Sequence, residues 1–534
     1  MKEKRALISV TNKKDLESFA KTLSNLGFEL VSTGGTLKFL LEKGIDATPI
    51  EKVTGFKEMI GGRVKTLHPN IHGGILYIRD DKGHEKEISS EGIKPIDIVV
   101  CNLYPFQETV TKNPSLEDAI ENIDIGGVTL LRAAAKNFKY VTVIVDPSDY
   151  DSITKELLEK GNTSYETRKR LCVKAFSHTA DYDSAIDSYL SEVLTENKKL
   201  RLSFDSGKDL RYGENWHQKA RFFKKDTVEP SASNMKQLHG KALSYNNYLD
   251  IEAALNATKE LSQYNAAVVV KHLNPCGIAT GKTLLDALKN AWDGDRVSAY
   301  GSIIALTRKV DLETASFLKG KFVEVIVAPS FDADALEFLK NKSKDLRILE
   351  TGKLFTSEDK VYKYLIGGII EQDRPKGLYE KWECVTNEKF PDSKKDLGLF
   401  TIIATKYTKS NSIVLGMEYE KGQFKVLGSG VGQPNRVDSL KKLAIPKIYE
   451  NLENMWNEEK PNIDKEVFFK EKISECVLVS DAFFPFDDTV RVAAEHNIKF
   501  IIQSGGSIRD KEVIETSNKF GISMIFTGMR YFNH

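Results

Sequence analysis

The sequence has few cysteines and no excess of either charge, and each of these absences excludes a class of protein. Its five cysteines are scattered and form no CxxC pair, which excludes a disulfide scaffold and a cysteine-rich zinc site. Its 77 basic and 76 acidic residues leave a formal net charge of +1, so no overall field attracts nucleic acid or an anionic membrane. Any anion must therefore bind at a local site.

Long apolar runs are missing as well. Runs such as AAVVV and IVVC fall far below the roughly 20 residues needed to cross a bilayer. The first residues, MKEKRALISVTNKKD, turn polar before they form the apolar core of a signal peptide. We expect a soluble protein of the reducing cytoplasm, with no membrane or nucleic-acid partner and with cysteines that are mostly small buried apolar residues.

What is present is the composition of an ordinary globular protein. Hydrophobic residues make up 41% and charged residues 29% of 534, which is enough for several hydrophobic cores. At roughly 150 residues per domain, the length predicts three or four compact units.

Strand and helix patterns alternate along the chain. RALISV and FELVST read as strands, and each precedes a helical pattern, so we predict a parallel sheet with helices on both faces. The polar residues 195–209 predict a domain boundary. Beyond them the predicted strands are AAVVV, VEVIVAP, LFTIIAT, ECVLVSDAF, IKFIIQS and ISMIFT.

Two glycine-marked segments in the first region indicate an anion site. STGGT lies between a strand and a helix, where glycine amides and a helix N-terminus together bind a phosphate; a tight turn that merely needs two glycines is the alternative. GGRVKTLHP places Arg63 and Lys65 on a constrained loop, and cations there suit a phosphate or a developing oxyanion.

Three more polar residues follow in the same region. Tyr104 closes the strand IDIVVCNLY, Asp124 precedes a glycine pair, and Lys136 lies on the helix after it. Near one phosphate pocket these groups are able to relay protons. Taken singly, each is more often structural: a half-buried tyrosine, a helix cap and a solvated charge.

The strongest catalytic candidate in the second region is KHLNPCG. Lys271 and His272 come directly after the buried run AAVVV, so a proton carrier and a cation emerge together from a strand. Zinc deaminases carry H-x-E and P-C-x-x-C, but here Asn274 replaces the glutamate and no second cysteine follows Cys276. We therefore predict no metal.

Further candidates flank this motif. Arg211 and Tyr212 in LRYGENWHQ are suited to hold a second phosphate, and Arg530 lies in the terminal TGMRYFNH, either an ordered tail or a frayed basic end. SDAFFPF is either core or one wall of a slot for a flat heterocycle.

With these segments in view, the sequence closely resembles the bifunctional purine-biosynthesis family in which AICAR transformylase is joined to IMP cyclohydrolase. The resemblance runs nearly end to end and keeps the family's order of motifs. These motifs are STGGT, GGRVKTLHP, CNLYPF, IDIGGVTLLRAAAKN, LRYGEN, KHLNPCG, SAYGSIIA, SDAFFPF and QSGGS.

The resemblance implies an α/β fold in two parts. Residues 1–197 resemble the cyclohydrolase, a doubly wound domain similar to methylglyoxal synthase. Residues 198–534 resemble the transformylase, whose two cytidine-deaminase-like α/β halves, without zinc, fall at approximately 198–375 and 376–534.

The resemblance also implies the reactions. A formyl group passes from 10-formyltetrahydrofolate to the amine of AICAR, giving FAICAR, which then closes to IMP with loss of water. These are the last two steps of de novo IMP synthesis. The family needs no metal and works as an intertwined homodimer whose transformylase sites combine both subunits.

Site residues carry over from the family by position. In the transformylase, His272 resembles the group that deprotonates the amine, Lys271 the group that protonates the folate leaving nitrogen, and Asn411 a third catalytic residue. The positions that resemble nucleotide contacts are Arg211, Tyr212, Asn247 and Arg530, and those that resemble folate-pocket positions are Asp332, Phe483 and Pro485.

The cyclohydrolase set carries over in the same way. Its catalytic residues are Lys65, Tyr104, Asp124 and Lys136, and its nucleotide contacts are Ser9, Lys13, Thr33, Gly35, Arg63, Thr66 and Asn102. Ring closure needs little beyond orientation and proton shuttling.

The chain departs from the family at Trp216, where proline is usual, which affects local loop shape.

Two other functions are alternatives. One makes the first domain a regulatory nucleotide-binding module, since methylglyoxal-synthase-like folds also serve as allosteric domains, but GGRVKTLHP with Tyr104 and Asp124 argues against this. The whole chain as a metal deaminase would require bound zinc in the purified protein.

Overall fold

The computed structural model describes residues 4–225 and 227–534. The chain divides into two compact units, Met1–Ser203 and Phe204–His534. The division falls inside the polar stretch 195–209.

The first unit is built on a five-stranded sheet in the order β3-β2-β1-β4-β5, and every pair in it is parallel. The strands are β1 (Lys4–Val10), β2 (Phe28–Ser32), β3 (Thr48–Pro49), β4 (Ile98–Asn102) and β5 (Thr142–Ile144). The chain moves outward from β1 to β3 and then returns to β4 on the other side of β1. Open α/β sheets place ligands at such a switch point, outside the carboxyl ends of the strands.

Helices cover this sheet because its strands are apolar on both faces. Ala6, Leu7 and Ile8 of β1 are all fully buried, as expected for a parallel strand. The helices are α1 (Leu16–Asn25), α2 (Gly34–Glu42), α3 (Ile50–Thr54), α4 (Pro69–Leu76), α5 (Lys82–Ser90), α6 (Phe106–Val110), α7 (Leu116–Glu121), α8 (Gly126–Lys136), α9 (Tyr150–Lys160) and α10 (Tyr165–Thr195). The predicted parallel α/β fold of this region is confirmed.

The second unit contains a twelve-stranded mixed sheet in the order β16-β21-β20-β19-β17-β18-β10-β9-β11-β12-β13-β8, together with two hairpins, β6-β7 and β14-β15. The strands are β6 (Asp205–Leu210), β7 (Ala220–Lys224), β8 (Lys236–His239), β9 (Asn265–Lys271), β10 (Asn274–Gly281), β11 (Ser302–Leu306), β12 (Val323–Ala328), β13 (Arg347–Glu350), β14 (Lys360–Leu365), β15 (Gly368–Asp373), β16 (Glu383–Cys384), β17 (Ile413–Glu420), β18 (Gln423–Gly430), β19 (Val477–Ser480), β20 (Phe500–Gln503) and β21 (Ser523–Phe526).

Helices pack on both faces of this sheet. On β9, Val268 and Val270 join one core cluster and Ala267 and Val269 join another, because successive side chains of a strand point to opposite faces. The helices are α11 (Tyr245–Glu260), α12 (Leu284–Trp292), α13 (Leu312–Ser316), α14 (Ala333–Lys342), α15 (Lys395–Lys406), α16 (Arg436–Asp438), α17 (Ile445–Glu459), α18 (Lys465–Ser474), α19 (Asp488–Glu495) and α20 (Asp510–Lys519).

The expectation of a strand at LFTIIAT was wrong, because these residues belong to the helix α15. Phe400, Thr401, Ile402 and Ile403 are all buried, so the helix is apolar around most of its circumference. Its buried threonine hydroxyls are satisfied within the helix; Thr401 donates to the carbonyl of Leu397 over 2.7 Å. A short apolar run does not distinguish a buried strand from a buried helix.

The directions of the strands gather many loops at one edge of the large sheet. β9 ends there at Lys271, and so do β8, β18, β19, β20 and β21, whereas β10, β11, β12, β13 and β17 begin there. We call it the Lys271 edge.

None of the helices in the described residues is both long and apolar enough to cross a membrane.

Candidate active sites

The first site lies at the carboxyl ends of β1 and β2, where the sequence predicts a phosphate pocket. The hydroxyls of Ser9 and Thr33 are 3.2 Å apart. Gly34 and Gly35 begin α2, and the φ of 43° at Gly34 lies in the left-handed region that glycine tolerates. The N-terminus of α2 thus lies beside these two hydroxyls, an arrangement that suits an anion.

A second loop brings a cation to these glycines. A Cβ placed on Gly34 would lie 3.5 Å from the Nζ of Lys65, so the ammonium group rests against the glycine turn. Lys65 also forms an ion pair of 2.8 Å with Glu58. Thr66 is buried, and its hydroxyl would be 3.0 Å from a Cβ on Gly126. The loop therefore reaches the N-termini of both α2 and α8.

Asp124 is held rigidly at the start of α8. Its carboxylate accepts a hydrogen bond of 2.6 Å from the backbone N–H of Gly127, and a Cβ on Gly127 would approach that carboxylate to 2.6 Å. Burial raises the pKa of Asp124 above its usual value, while the backbone N–H groups of Gly127 and Tyr104 oppose the rise. The ring of Tyr104 is 49% exposed and free to meet a ligand.

Tyr182, on the long helix α10, contributes to this site although no sequence motif marks it. Its hydroxyl accepts a hydrogen bond of 2.7 Å from the backbone N–H of Asp124 and donates one of 3.3 Å to the carbonyl of Asn122. Tyr182 therefore fixes the backbone on which the Asp124 carboxyl stands.

Other predicted nucleotide contacts have protein partners. The side-chain oxygen of Asn102 accepts from the backbone N–H of Thr11 at 2.7 Å and of Asn12 at 3.0 Å, so Asn102 shapes the loop after β1. Lys13, on that loop, lies 3.5 Å from the carbonyl of Thr11. Arg63 forms an ion pair with Glu121.

Lys136 does not join this group. It lies at the last residue of α8 while Asp124 precedes the first, and ten residues at 1.5 Å each separate the two ends by about 15 Å. Lys136 instead lines an apolar cleft of about 630 Å³ with Leu67, His72 and Phe176. Within the chain the predicted catalytic set is therefore divided.

The second site is centred on a tight hairpin between β9 and β10. Lys271 pairs with Asn274 across it, so His272 and Leu273 are its two loop residues, with φ of 53° and 67°. The Nζ of Lys271 donates a hydrogen bond of 2.7 Å to the carbonyl of Tyr300, and the His272 side chain is exposed. Both predicted catalytic side chains thus stand at the Lys271 edge.

Asn274 connects this hairpin to the segment that carries Asn411. Its amide nitrogen donates to the carbonyl of His272 at 3.0 Å, and its oxygen accepts from the backbone N–H of Lys409 at 3.1 Å. The amide nitrogen of Asn411 in turn donates to the carbonyls of Gln433 and Pro434 at 3.1 and 3.0 Å.

The terminal residues form an ordered tail against the same segment. Tyr531 is buried, and its hydroxyl donates to the carbonyl of Leu378 over 2.6 Å. The Nζ of Lys409 donates to a backbone oxygen of His534 at 2.9 Å. The guanidinium of Arg530 lies 5.2 Å from the ring of Phe532, so Arg530 is placed beside the Asn411 segment rather than on a frayed end.

A cleft of about 400 Å³ opens near the N-terminus of α11. Arg211, Tyr212 and Glu324 line it. The Asn247 amide donates to the Glu324 carboxylate at 3.0 Å, and its oxygen caps the helix by accepting from the backbone N–H of Ser244 at 3.1 Å. A cation, a tyrosine and a carboxylate at a helix N-terminus suit a sugar phosphate.

The predicted folate positions are divided. Phe483 and Pro485 follow β19 at the Lys271 edge, with Phe483 half-buried and Pro485 exposed, whereas Phe484 between them is fully buried in the core. Asp332 follows β12, which begins at the Lys271 edge and ends at the opposite one. There it pairs with Lys309 at 2.6 Å, away from the Lys271–His272 turn.

Among the residues that the structure describes, no group of three or more histidine, cysteine or acidic side chains is arranged to hold a metal ion. The two sites contain cations, carboxyls, an imidazole and helix N-termini. Two α/β units with such groups at their sheet edges are typical of enzymes that act on anionic substrates.

Comparisons with known proteins name the family. The model of the MGS-like domain matches residues 15–129, and that of the AICARFT/IMPCHase bienzyme matches residues 134–447. Proteins described as "Bifunctional purine biosynthesis protein PurH" are 46% identical in Persephonella marina, over 99% of this chain and 100% of theirs, and 45% identical in Lactobacillus acidophilus over the same shares. The one from Halalkalibacterium halodurans is 46% identical over 100% of both chains.

The chain belongs to the AICARFT/IMPCHase bienzyme family. It is a bifunctional enzyme of purine biosynthesis, a formyltransferase acting on AICAR and an IMP cyclohydrolase, with a formyl-folate as co-substrate of the first activity. The predicted family, fold and activities are confirmed.

Proposed function

We propose that the two units divide the two reactions. Formyl transfer takes place at the Lys271 edge of the second unit, and ring closure takes place at the carboxyl ends of β1, β2 and β4 in the first. The observation that carries this proposal is the meeting of Lys271, His272 and Asn411, joined through Asn274, at one edge.

In the formyl transfer, the AICAR amine attacks the formyl carbon of 10-formyltetrahydrofolate. A C–N bond forms to the amine, the bond from carbon to the folate nitrogen breaks, and one proton moves from the amine to that nitrogen. The exposed imidazole of His272 takes the proton from the amine, and the Lys271 ammonium stabilises the oxyanion and protonates the leaving nitrogen. Asn411 orients the transferred group.

The substrate phosphate and ribose of AICAR occupy the cleft lined by Arg211 and Tyr212, with Asn247 and Glu324 behind them. Arg530 on the ordered tail contacts the nucleotide. Phe483 and Pro485 border the folate, and no metal takes part.

In the cyclisation, the carboxamide nitrogen of FAICAR attacks its formyl carbon and water leaves. The phosphate binds at the N-terminus of α2 with Ser9, Lys13, Thr33, Gly35, Arg63, Thr66 and Asn102 around the nucleotide. Lys65 lies against those glycines and stabilises the oxyanion, and Tyr104 and Asp124 move protons. Because its pKa is raised, Asp124 is more readily protonated than an exposed carboxyl at the same pH.

We further propose a homodimer in the cytoplasm in which the partner completes the sites. Lys136 lies about 15 Å from the start of α8 and Asp332 at the edge opposite Lys271. If Lys136 acts in catalysis and Asp332 borders the folate, as the family resemblance implies, each serves the site of the other subunit.

One assay tests the assigned reactions. Purified protein receives AICAR and 10-formyltetrahydrofolate, and tetrahydrofolate and IMP are followed together. Both products should form without added metal. Tetrahydrofolate formed without IMP, or neither, would contradict the assignment.

A mixing experiment tests the exchange of Lys136. Lys65→Ala and Lys136→Ala subunits, each without cyclohydrolase activity, are unfolded and refolded together. A heterodimer that exchanges Lys136 contains one complete site, so roughly a quarter of the wild-type activity should return. Mixtures that stay inactive would show that Lys136 acts within its own subunit or not at all.

A further inference from the structure

The hairpin turn that carries His272 has a backbone conformation that its own residues disfavour. His272 and Leu273 both have positive φ, 53° and 67°. Two-residue hairpin loops of this type strongly prefer Asn-Gly or Gly-Gly, because side chains other than glycine crowd the backbone in the left-handed region. Such residues persist only where the surroundings hold them, and they cluster at functional sites.

The carboxylate of Asp250 holds this turn by accepting hydrogen bonds from its backbone. Its Oδ1 accepts a hydrogen bond of 2.7 Å from the backbone N–H of Leu273, and the backbone N–H of His272 also stabilises its carboxylate. Burial raises the pKa of Asp250, and these two N–H groups and the nearby imidazole of His272 oppose the rise. The carboxyl is thus directed at the turn rather than at solvent.

Asp250 extends toward the turn from a helix that is packed into the core. Asp250 lies on α11, where its neighbour Ile251 and the following Ala254 and Leu255 are fully buried. Asn247, one helical turn earlier, caps the same helix and donates a hydrogen bond to Glu324, which lines the cleft with Arg211 and Tyr212. One helix therefore fixes the nucleotide cleft and the catalytic turn relative to each other.

We propose that Asp250 is a positioning residue for formyl transfer, which holds the His272–Leu273 backbone in its left-handed conformation and so aims Lys271 and His272 at the substrate. This rests on the proposed role of Lys271 and His272. Asp250 does not touch substrate; it acts through the backbone of the turn.

The test is a double-mutant cycle in the full-length enzyme. Asp250→Ala should lower kcat for formyl transfer by about 10- to 100-fold, with a smaller change in KM for AICAR, because the cleft keeps Arg211 and Tyr212. Asp250→Asn, which keeps an acceptor oxygen, should lose less. In a Leu273→Gly background the same Asp250→Ala change should lower kcat only about threefold or less, because glycine adopts positive φ without the carboxyl.

Asp286→Ala is the matched control. Asp286 accepts hydrogen bonds from the backbone N–H and the hydroxyl of Thr283 at the N-terminus of α12. The Asp286→Ala change therefore removes a carboxylate that is bonded to backbone but does not contact the His272–Leu273 turn. Circular dichroism melting of every variant identifies any that does not fold, and Asp250→Asn then replaces Asp250→Ala in the cycle.

Each outcome decides the proposal. A smaller kcat loss in the glycine background supports it. An equal loss in both backgrounds, a wild-type kcat in Asp250→Ala, or an equal loss in the control overturns it. His272→Ala is measured beside these variants: if it retains formyl transfer the proposed function fails, whereas if it is inactive and Asp250→Ala is not, only the positioning role fails.

Discussion

The two units build their sites from opposite kinds of sheet. In the first unit all strands are parallel, so every carboxyl end meets at one edge and short loops with glycine supply the site. In the second unit the sheet is mixed, and its Lys271 edge gathers strand ends and strand beginnings that are distant in sequence. Both sites also rely on side chains that are distant in sequence: Tyr182 holds the backbone of Asp124 in the first unit, and Asp250 and Asn274 hold the hairpin turn and the Lys409 backbone in the second.

The largest expected effect is the separation of the two activities. His272→Ala should lower formyl transfer by about 10²- to 10⁴-fold and leave FAICAR cyclisation unchanged, while Lys65→Ala should do the reverse. Each reaction is assayed separately, with AICAR and 10-formyltetrahydrofolate or with FAICAR. If either variant, although folded, lost both activities, the two regions would not be independent.

The next effect concerns Asn274, which connects the β9–β10 hairpin to the segment that carries Asn411. Asn274→Ala removes the hydrogen bonds to the His272 carbonyl and the Lys409 N–H, so formyl transfer should fall about 10- to 100-fold. Asn265→Ala is the matched control, because Asn265 bonds the carbonyl of Lys282 over 2.7 Å at the other end of the same hairpin. Equal losses in both variants would argue for general stability rather than a local tie.

A smaller effect is expected in the first site, where Gly127 lies close to the Asp124 carboxylate. A Cβ on Gly127 would lie 2.6 Å from the Asp124 carboxylate and 2.8 Å from Leu103, so Gly127→Ala must displace the carboxyl. Cyclisation should fall about tenfold, and stability should fall by about 1–3 kcal/mol. Formyl transfer by the same sample is the internal control. Unchanged cyclisation would mean that the position of Asp124 is not critical.

The smallest effect is a dependence of stability on pH. Because the folded-state pKa of Asp124 is raised by burial, its ionised form destabilises the folded protein, and this loss grows as pH rises from the unfolded pKa through the folded one. Asp124→Asn should therefore be at least as stable as wild type at pH 7, with the difference shrinking as the pH approaches 4. Melting temperatures across this range measure it, and a less stable variant at pH 7 would contradict the assigned cause.

Local sequence patterns predicted the helix N-terminus of the first site and the strand end of the second. STGGT predicted a helix N-terminus beside a strand end, and α2 begins at Gly34. AAVVVK predicted that Lys271 and His272 stand where a buried strand ends, and β9 ends at Lys271. Both follow from local patterns.

Features that depend on tertiary packing were not predicted by these patterns. The run LFTIIAT is equally apolar as strand or helix, and only its burial on all sides makes it α15. Tyr182 and Asp250 act on backbone N–H groups 58 and 23 residues away, so no local pattern marks them. The distances of Lys136 and Asp332 from their predicted neighbours likewise follow from helix length and strand direction, which motifs do not encode.

β10 pairs with β18 in the middle of the twelve-stranded sheet. This pair joins two parts, one made of strands β8 to β13 and the other of strands β16 to β21. The Phe424 N–H bonds the Thr280 hydroxyl at 2.9 Å, and the Tyr419 hydroxyl bonds the Thr280 carbonyl at 2.8 Å. Separation of the two parts would leave β10 and β18 as open sheet edges with unpaired backbone groups, which invites aggregation. The solubility of each part therefore depends on the presence of the other.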